Sequence, residues 1–413
     1  MPEKPETAAA LALLSAEAVR QRAHRLLAIG LEDGLEHFSI DLARLGEAAD
    51  LVVATTREAY PSLDVPFHSR WRHFVRGSED RWAAIDDATP WDDAADRARA
   101  AFDLAITSVL LDAGAGPQWA YRDPDTGARV GRSEGLALAS LALFAQGAFS
   151  RNRASPLRAD AKVLESLAGE ALARHFQVTE ANSLAGVDGR AALLRRLGAT
   201  VAAKPEIFAR TDAPRPGGLF DHLAALAGNG AISAPAILAE LLNHLGGIWP
   251  SRLELGGMPL GDCWRHPAMT TDDATSRLVP LHKLSQWLAY SLIEPLQAAG
   301  IEVTDIDGLT GLAEYRNGGL LIDTGVLALR DAAEAEREHD VGSVLVVEWR
   351  ALTVALLDRL ADSVRQRLHK DAVSLPLARI LQGGTWAAGR AIARRRRADG
   401  SPPIRVVSDG TVF

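Results

Sequence analysis

The feature that most limits what this chain can fold into is the helical spacing of its apolar residues. They recur at steps of three and four positions, which is the pattern of an amphipathic helix. The segments with this spacing are residues 9–31, 94–114, 161–176, 189–209, 234–246, 281–300 and 347–370. Strand-like runs are few and short, at residues 118–124, 319–329 and 402–413. The sequence therefore predicts a mainly α fold with few short strands.

The 413 residues show no obvious internal boundary. No repeat of about 20–50 residues and no low-complexity linker divides them. The polar, aromatic and proline-interrupted segment 55–92 is typical of a structured excursion from a helical layer. We expect an N-terminal helix over residues 1–30 and one large helical domain with a cleft over residues 31–413, in which two lobes could meet near 108–141 and 279–325.

Composition narrows the class of protein. Hydrophobic residues make up 47% of the chain, enough for a substantial core. The formal net charge of -8 argues against a nucleic-acid binder, whose surface would be basic. No apolar run approaches the roughly 18 residues of a membrane helix, and the acidic N-terminus is unlike a signal peptide. Because Cys263 is the single cysteine, an intramolecular disulfide is excluded, and we expect a cytoplasmic protein with no membrane partner.

The common signatures of metal and cofactor sites are missing from the sequence. It contains no Walker A loop, no GxGxxG, no HExxH and no CxxC pair. His68 and His73 are five positions apart and do not share a helix face. We therefore expect neither a metal ion nor a cofactor.

A first polar cluster lies at residues 66–74, PFHSRWRHF, where His68, Arg70 and Arg72 alternate with aromatic residues. Cations beside aromatic rings can bind a phosphate while a planar group stacks on the ring. The alternative is a surface loop whose arginines pair with the acidic segment 79–82.

A second cluster follows the apolar run that ends at Asp112, where a charge needs a partner. Further on, Arg132, Ser133 and Glu134 open the next predicted helix. Free backbone N–H groups at such an N-terminus can face an anion, and capping by Ser133 is the structural alternative. Asp112 and Glu134 are candidate ligand contacts.

A third cluster lies on the apolar helix within residues 279–296. Lys283 and Trp287 are four positions apart on one face, and His282 lies one step round. A lysine on so apolar a helix either extends to solvent or meets an anion. These three are candidate substrate-binding residues.

A fourth cluster interrupts the Ala/Leu-rich pattern at residues 308–327, GLTGLAEYRNGGLLIDTGVL. Glu314 and Asp323 are candidate catalytic carboxylates, able to act as acid or base or to stabilise a developing cation. Tyr315 could stack on a planar ligand. The two glycines after Asn317 predict a bend at which the backbone passes close to a ligand.

Arg316 has two interpretations. It could bind substrate, or it could pair with Glu348, or with the partner of Arg350, on the helix that begins VEWRALTV. The second, structural role is the one that the pattern favours.

Several of these motifs resemble those of the uracil catabolism protein 4 family. They are PFHSRWRHF, LLDAGAGPQW, RSEGLALASL, HKLSQWLAYSLIEPL, GLTGLAEYRNGGLLIDTGVL, VEWRALTVALLD, the GGTW turn and the terminal SDGTVF. They occur in the family's order from about residue 30 onward. The resemblance implies a role in degrading uracil through its nucleotide, with a ribosylated urea as intermediate and other enzymes of uracil catabolism as candidate partners.

The order of three motifs is also similar, more distantly, to the queuosine 5′-phosphate N-glycosylase family. These motifs are an HK-containing helix, an Ala-acid-Tyr-Arg loop, and Glu-x-Arg-Ala opening a helix. The resemblance places Glu314 at the position of that family's catalytic aspartate, Tyr315 at its tyrosine and Lys283 at its pocket lysine. It also implies an all-α, DNA-glycosylase-like fold.

Together the resemblances imply hydrolysis of an N-glycosidic bond in a ribosyl-urea-type 5′-phosphate, releasing ribose 5-phosphate and urea or a urea-like product. A carboxylate near C1′ stabilises the oxocarbenium-like charge of such a reaction. The alternative is a non-catalytic binding or scaffold protein for a uridine-nucleotide-derived intermediate. Phosphoribosyl transfer lacks support, because no PRPP-loop pattern is present.

The same hypothesis assigns roles to the other clusters. The 5′-phosphate needs cations, for which the candidates are Lys283 and one of Arg70, Arg72 or Arg132. The small leaving group needs hydrogen bonds, for which the candidates are Asp112, Glu134 and His68.

Overall fold

The computed structural model describes residues 5–112, 114–116, 118–209, 213–249 and 253–407. Helices dominate these residues, which confirms the predicted mainly α fold. The α-helices are α1 (Pro5–Leu13), α2 (Ala16–Leu31), α3 (Leu45–Ala59), α4 (Arg81–Ala88), α5 (Ala94–Leu110), α6 (Arg132–Ala145), α7 (Ala161–Glu165), α8 (Gly169–His175), α9 (Val187–Ala202), α10 (Pro205–Phe208), α11 (Leu219–Leu226), α12 (Ala234–Leu245), α13 (Lys283–Ala298), α14 (Tyr315–Asp323), α15 (Val344–Leu368), α16 (Leu377–Ile380) and α17 (Trp386–Arg396).

Strands are two or three residues long and occur only as pairs within the described part of the chain. They are β1 (Phe38–Ile40), β2 (Val75–Arg76), β3 (Glu79–Asp80), β4 (Ala120–Arg122), β5 (Arg129–Gly131), β6 (Ala231–Ser233), β7 (Glu254–Leu255), β8 (Met258–Pro259), β9 (Cys263–Arg265), β10 (Leu278–Pro280), β11 (Glu302–Thr304), β12 (Leu327–Leu329), β13 (Glu338–Asp340) and β14 (Arg405–Val407). β6 with β11 and β13 with β14 are parallel pairs, whereas the other pairs are antiparallel.

The predicted helical segments all contain helices, but several are divided. Residues 9–31 become the end of α1 and the whole of α2, because Ser15 leaves the helix and its side chain accepts a hydrogen bond from the backbone N–H of Ala18. Residues 161–176 form α7 and α8, and residues 189–209 form most of α9 and all of α10. Apolar periodicity therefore located the helices better than it located their ends.

Two of the predicted strands are confirmed over short stretches, and one is partly wrong. β4 lies within 118–124 and β14 within 402–413, of which residues 408–413 lie outside the described ranges. Residues 319–323 belong to α14, and only Leu327–Leu329 of that segment is a strand.

Two compact units, each with its own core, make up the described residues. The first comprises residues 5–68, 253–286 and 305–407, and the second comprises residues 69–249 and 287–304. No helix in the described ranges is long and apolar enough to cross a membrane. The predicted cleft and the DNA-glycosylase likeness stay predictions.

The core of the first unit surrounds α15. Every residue of this helix from Leu345 to Leu357 is buried, as expected of a helix with neighbours on all sides. It packs against α2, α3 and α14.

The two glycines predicted to form a bend in the first unit are instead inside α14. A Cβ atom on Gly318 would lie 2.6 Å from Nε1 of Trp349 on α15. On the other side, a Cβ atom on Gly389 of α17 would lie 2.2 Å from the carbonyl oxygen of Arg316. The prediction of a bend is therefore wrong: Gly318 allows close approach between helices, as small residues do.

The core of the second unit surrounds α5, whose residues from Ala100 to Leu110 are all buried. Asp103 lies inside this apolar helix and needs partners. It accepts hydrogen bonds from Nε of Arg215 (2.7 Å) and from the backbone N–H of Ala159 (2.9 Å). The buried carboxylate therefore attaches two loop segments to the central helix.

Candidate functional site

Glu314 occupies the N-cap position of α14. One of its carboxylate oxygens accepts a hydrogen bond from the backbone N–H of Arg316 (2.7 Å) and the other from that of Asn317 (2.6 Å). These donors would otherwise have no partner in the first turn of a helix. The positive end of the helix dipole also favours the ionised carboxylate. Local sequence alone thus holds the Glu314 side chain in one orientation.

Three of the predicted site residues in the first unit are partly exposed, although other residues next to them in the chain are buried. Lys283, Glu314 and Tyr315 are partly exposed, whereas the neighbouring residues Ala313 and Leu284 are buried. Lys283 is also close enough to Glu314 for its charge to affect the carboxylate. The structure therefore brings Lys283, Glu314 and Tyr315 together at a partly exposed place in the first unit, and we call these three residues the Glu314 site.

The surroundings of Glu314 raise its pKa above the ordinary value of 4.5. The largest cause is desolvation, since protein atoms surround the carboxylate although part of the residue is exposed. The two backbone hydrogen bonds and the positive charge of Lys283 act in the opposite direction and lower the pKa. A carboxyl group with a raised pKa can exchange a proton nearer neutral pH, as acid–base catalysis requires.

The buried ion pair of Asp262 and Arg350 fixes the backbone on which the Glu314 site is built. Asp262 accepts two parallel hydrogen bonds from Arg350 of α15, at 2.9 and 2.8 Å, and one from Nε1 of Trp264. It also accepts a bond from the backbone N–H of Lys283 (2.9 Å). Nε of Arg350 reaches the carbonyl oxygen of Ala313 (3.3 Å). Arg350 and Asp262 therefore fix the backbone beside both Lys283 and Glu314.

His282 precedes Lys283 but does not belong to the exposed surface. Its ring nitrogen Nε2 lies 3.0 Å from the carbonyl oxygen of Leu13, and the side chain is fully buried. Burial lowers the pKa of the imidazole, which favours a neutral ring. This position argues against the predicted contact between His282 and a substrate.

Arg316 has a structural position, but not with the predicted partner. It is buried, donates a hydrogen bond to the carbonyl oxygen of Gly400 (3.0 Å), and its guanidinium lies 4.8 Å from the centre of the Tyr315 ring. The predicted pairing with Glu348 is wrong. Glu348 instead accepts hydrogen bonds from the backbone N–H groups of His37 and Phe38.

Asp323, the second candidate catalytic carboxylate, lies at the other end of α14. Both of its oxygens accept hydrogen bonds from Arg397, at 2.8 and 2.6 Å. A bidentate pair of this kind occupies the carboxylate and fixes its geometry. Asp323 is therefore engaged in an ion pair within the protein, and its predicted catalytic role stays a prediction.

His68 also lies in the first unit. Its Nδ1 atom is 3.0 Å from Oε1 of Gln382, and its backbone N–H donates to the carbonyl oxygen of Ala378. The side chain is buried. These contacts are those of a residue that packs the interior, and they do not support the predicted contact with a leaving group.

In the second unit, Arg70 is the centre of a buried polar cluster. Its side chain is fully buried, and Nη1 lies 3.0 Å from Oδ1 of Asp112. Nε donates to Oγ of Ser108 (2.7 Å), and Nη1 donates to the carbonyl oxygen of Ser133 (3.3 Å). The predicted partner for Asp112 is thus found. Arg70 is held by protein groups, and the alternative pairing with segment 79–82 is wrong.

Aromatic and acidic groups complete this cluster. The guanidinium of Arg70 lies 5.6 Å from the centre of the buried Trp287 ring, within cation–π range. Burial lowers the pKa of Arg70, and the charges of Asp112 and Glu134 partly restore it. Glu134 is partly exposed. The structure therefore brings Arg70, Asp112, Glu134 and Trp287 together as one set.

Two further arginines of the second unit, Arg72 and Arg132, have different surroundings from Arg70. Arg72 pairs with Glu294 at 2.7 Å, and Arg132 is exposed at the start of α6 with a positive φ of 57°. Capping by Ser133 does not occur, because the N-cap residue of α6 is Gly131 and no side chain caps the helix.

Possible metal ligands in the described ranges do not include the Glu314 site. The group whose ligand atoms lie close enough to hold an ion consists of His222, Glu240 and His244, on α11 and α12 of the second unit. The expected absence of a cofactor remains a prediction.

Sequence reasoning missed the supporting residues more than the exposed ones. The motif VEWRALTV contains Arg350, but nothing in the local sequence indicates that its partner is Asp262, 88 positions away. The sequence signal that does exist is the Glu-x-Arg-Ala motif, because a buried arginine requires a carboxylate.

Comparison with known proteins supports the family resemblance that the sequence motifs indicated. The family described as "Protein of unknown function (DUF1688)" matches residues 12–413. Protein urg3 of Schizosaccharomyces pombe is 39% identical over 411 residues, covering 97% of this chain and 98% of the relative. Uracil catabolism protein 4 of Lachancea kluyveri is 36% identical, covering 91% and 92% of the two chains. This chain therefore belongs to the DUF1688 family and to the uracil catabolism protein 4 family.

Proposed function

We propose that this protein acts in uracil catabolism by hydrolysing the N-glycosidic bond of a ribosyl-urea-type 5′-phosphate, with release of ribose 5-phosphate and urea or a urea-like product. The name of the Lachancea kluyveri relative, uracil catabolism protein 4, supports the pathway. The observation that supports the reaction is Glu314: a fixed, partly exposed carboxylate with a raised pKa beside a lysine.

The chemistry requires a negative group at one face of the ribose. As the C1′–N bond breaks, positive charge develops on C1′ and the ring oxygen. An ionised Glu314 would stabilise this charge and accept a proton from the water that attacks C1′. The hydroxyl of that water adds to C1′, the departing nitrogen takes up a proton from solvent, and Glu314 releases to solvent the proton that it accepted, so atoms and charge balance. The raised pKa of Glu314 suits a group that must both accept and release a proton.

Lys283 and Tyr315 supply the other contacts on this surface. Lys283 carries the positive charge nearest to Glu314 on α13, and we assign it to an oxygen of the ribose phosphate. Tyr315 follows Glu314 in the chain and is partly exposed, and we assign its ring to packing against the sugar. Arg70 is less suited to phosphate than its sequence suggested, because Asp112 already pairs with it.

The test compares the two carboxylates of α14. Purified full-length protein is incubated with a ribosyl-urea 5′-phosphate while free reducing sugar and urea are followed. We expect Glu314→Gln to lower kcat by about 10²–10⁴-fold, the range for a group that transfers a proton in the transition state. The matched variant Asp323→Asn should keep kcat within a few-fold, because Arg397 holds that carboxylate.

Stability measurements separate chemistry from folding. Glu314→Gln retains one acceptor at the N-cap and should cost about 1 kcal/mol or less of unfolding free energy. Full turnover by Glu314→Gln would remove Glu314 from the mechanism. Tight binding of a uridine-nucleotide-derived intermediate without turnover, and unchanged in Glu314→Gln, would instead support the non-catalytic binding or scaffold function.

A further inference from the structure

His222, Glu240 and His244 form a compact cluster in the second unit, apart from the residues assigned to the reaction. Nε2 of His222 lies 2.6 Å from Oε2 of Glu240, and Nε2 of His244 lies 3.0 Å from the same oxygen. The three ligand atoms all lie within 4.8 Å of one another. Two imidazole nitrogens and a carboxylate oxygen thus converge on one point.

The helices present these side chains for a simple reason. Glu240 and His244 are four positions apart on α12, so they lie on the same face one turn apart. His222 comes from α11, which is connected to α12 by a short loop with left-handed backbone at Asn229 and Gly230. That turn brings one histidine of α11 to the Glu-His pair of α12.

The spacing of the atoms suits a first-row transition metal. A tetrahedral Zn²⁺ ion with bonds of about 2.0–2.2 Å separates its ligand atoms by roughly 3.3 Å. The two observed separations from Glu240, 2.6 and 3.0 Å, differ from that value by less than 1 Å. Rotation of partly exposed side chains can supply such a change, and all three side chains are about one-fifth exposed.

Two neighbouring residues hold the His244 end of this cluster in place. Lys204 fixes the end of α12 by donating to the carbonyl oxygen of His244 (3.0 Å), and Phe208 packs edge-on against the His244 ring. The ligand set is thus supported by neighbouring groups.

We propose that His222, Glu240 and His244 bind a divalent transition-metal ion, with Zn²⁺ as the ion that fits best. Two histidines and one carboxylate are a common donor set for Zn²⁺, with a water molecule in the fourth position. The ion connects α11 to α12 and stabilises this part of the second unit. This site does not depend on the proposed glycosidase activity.

The test uses full-length protein without a polyhistidine tag, freed of metal by a chelator and then titrated with ZnCl₂ in a calorimeter. We expect one Zn²⁺ per chain and a rise in Tm of at least about 2 °C with saturating Zn²⁺. Glu240→Gln and His222→Ala should each weaken binding by more than about tenfold, since the first replaces a charged carboxylate ligand by a neutral amide and the second removes a ligand. Co²⁺ in place of Zn²⁺ should give visible absorption bands with the wild type that both variants lack.

The matched control is His175→Ala, which removes another partly exposed histidine of the same unit. It should bind Zn²⁺ as the wild type does. Circular dichroism checks that Glu240→Gln, which preserves size, keeps the helices. The proposal is overturned if the wild type shows no Zn²⁺-dependent rise in Tm, or if both ligand variants bind Zn²⁺ as tightly as His175→Ala does.

Discussion

Glu314 and Asp262 are two carboxylates of the same unit, each beside the first residue of a helix, yet their pKa values move in opposite directions. Desolvation by burial raises the pKa of both carboxyl groups. Asp262 has a bidentate arginine and further donors, and its pKa falls to about 2. Glu314 has two backbone N–H groups and a nearby lysine, and its pKa rises.

The difference shows how burial can serve two purposes. A buried carboxylate with a full set of charged partners stays ionised and contributes to the architecture. A carboxylate with weaker compensation stays able to change its protonation state, which is the property of catalytic groups. Partial exposure of Glu314 and full burial of Asp262 fit this division.

The largest expected effect is on stability, from breaking the pair of Asp262 and Arg350. Asp262→Asn removes the carboxylate that forms the bidentate pair with the buried guanidinium of Arg350, so the unfolding free energy should fall by about 3–5 kcal/mol. Urea-induced unfolding measures this loss. The control is Asp50→Asn, which breaks an exposed pair with Arg367 and should cost less than about 1 kcal/mol. A similar, small loss for both variants would mean that Asp262 is not structurally important.

A smaller expected effect is the pH dependence of stability, which should differ in sign between Asp262 and Glu314. The pKa of Asp262 is about 2 in the folded chain and 3.8 ordinarily, so its ionisation stabilises the fold above pH 3.8, and this contribution of roughly 2 kcal/mol is lost as the pH falls towards 2. For Glu314 the sign is reversed. Its pKa is raised, so ionising it destabilises the fold as the pH rises above 4.5.

Unfolding free energies measured from pH 2 to pH 7 test these signs. The difference between wild type and Asp262→Asn should grow between pH 2 and pH 4. The difference between wild type and Glu314→Gln should shift in favour of the variant as the pH rises above 4.5. Parallel curves for the two differences would contradict the contrast between the carboxylates.

The smallest effect concerns the charge beside Glu314. Lys283 lowers the pKa of the Glu314 carboxyl, so Lys283→Met should raise it. The acid limb of the pH profile of kcat/KM should then move to higher pH, by up to about one unit. The control is Lys370→Met, which removes an exposed lysine beyond the end of α15 and should leave the limb in place. An unmoved limb in Lys283→Met would show that the two charges do not interact.

How far the sequence predicted the molecule depended on the range of the interaction involved. Apolar spacing is local, so it predicted helices such as α5, α13 and α15. The prediction of a bend at Gly318 was wrong because the glycine is needed for close packing against Trp349 on another helix. A contact between two helices cannot be predicted from the local sequence. The same limit applies to charges. A contiguous motif was enough to propose Glu314 as a catalytic carboxylate, and that role stays a prediction. The partners of Arg316 and Arg350 lie in distant segments, so a local motif could not predict them.

The two contacts of Arg350 have a consequence for how the Glu314 site can vary. One guanidinium binds Asp262, which holds the backbone of Lys283, and also reaches the carbonyl oxygen of Ala313, next to Glu314. The positions of Lys283 and Glu314 relative to each other thus depend on the side chain of Arg350, through Asp262 and the backbone of Ala313. Under the proposed function, we therefore expect a substitution of Arg350 in the middle of α15 to change activity without exchanging Lys283, Glu314 or Tyr315.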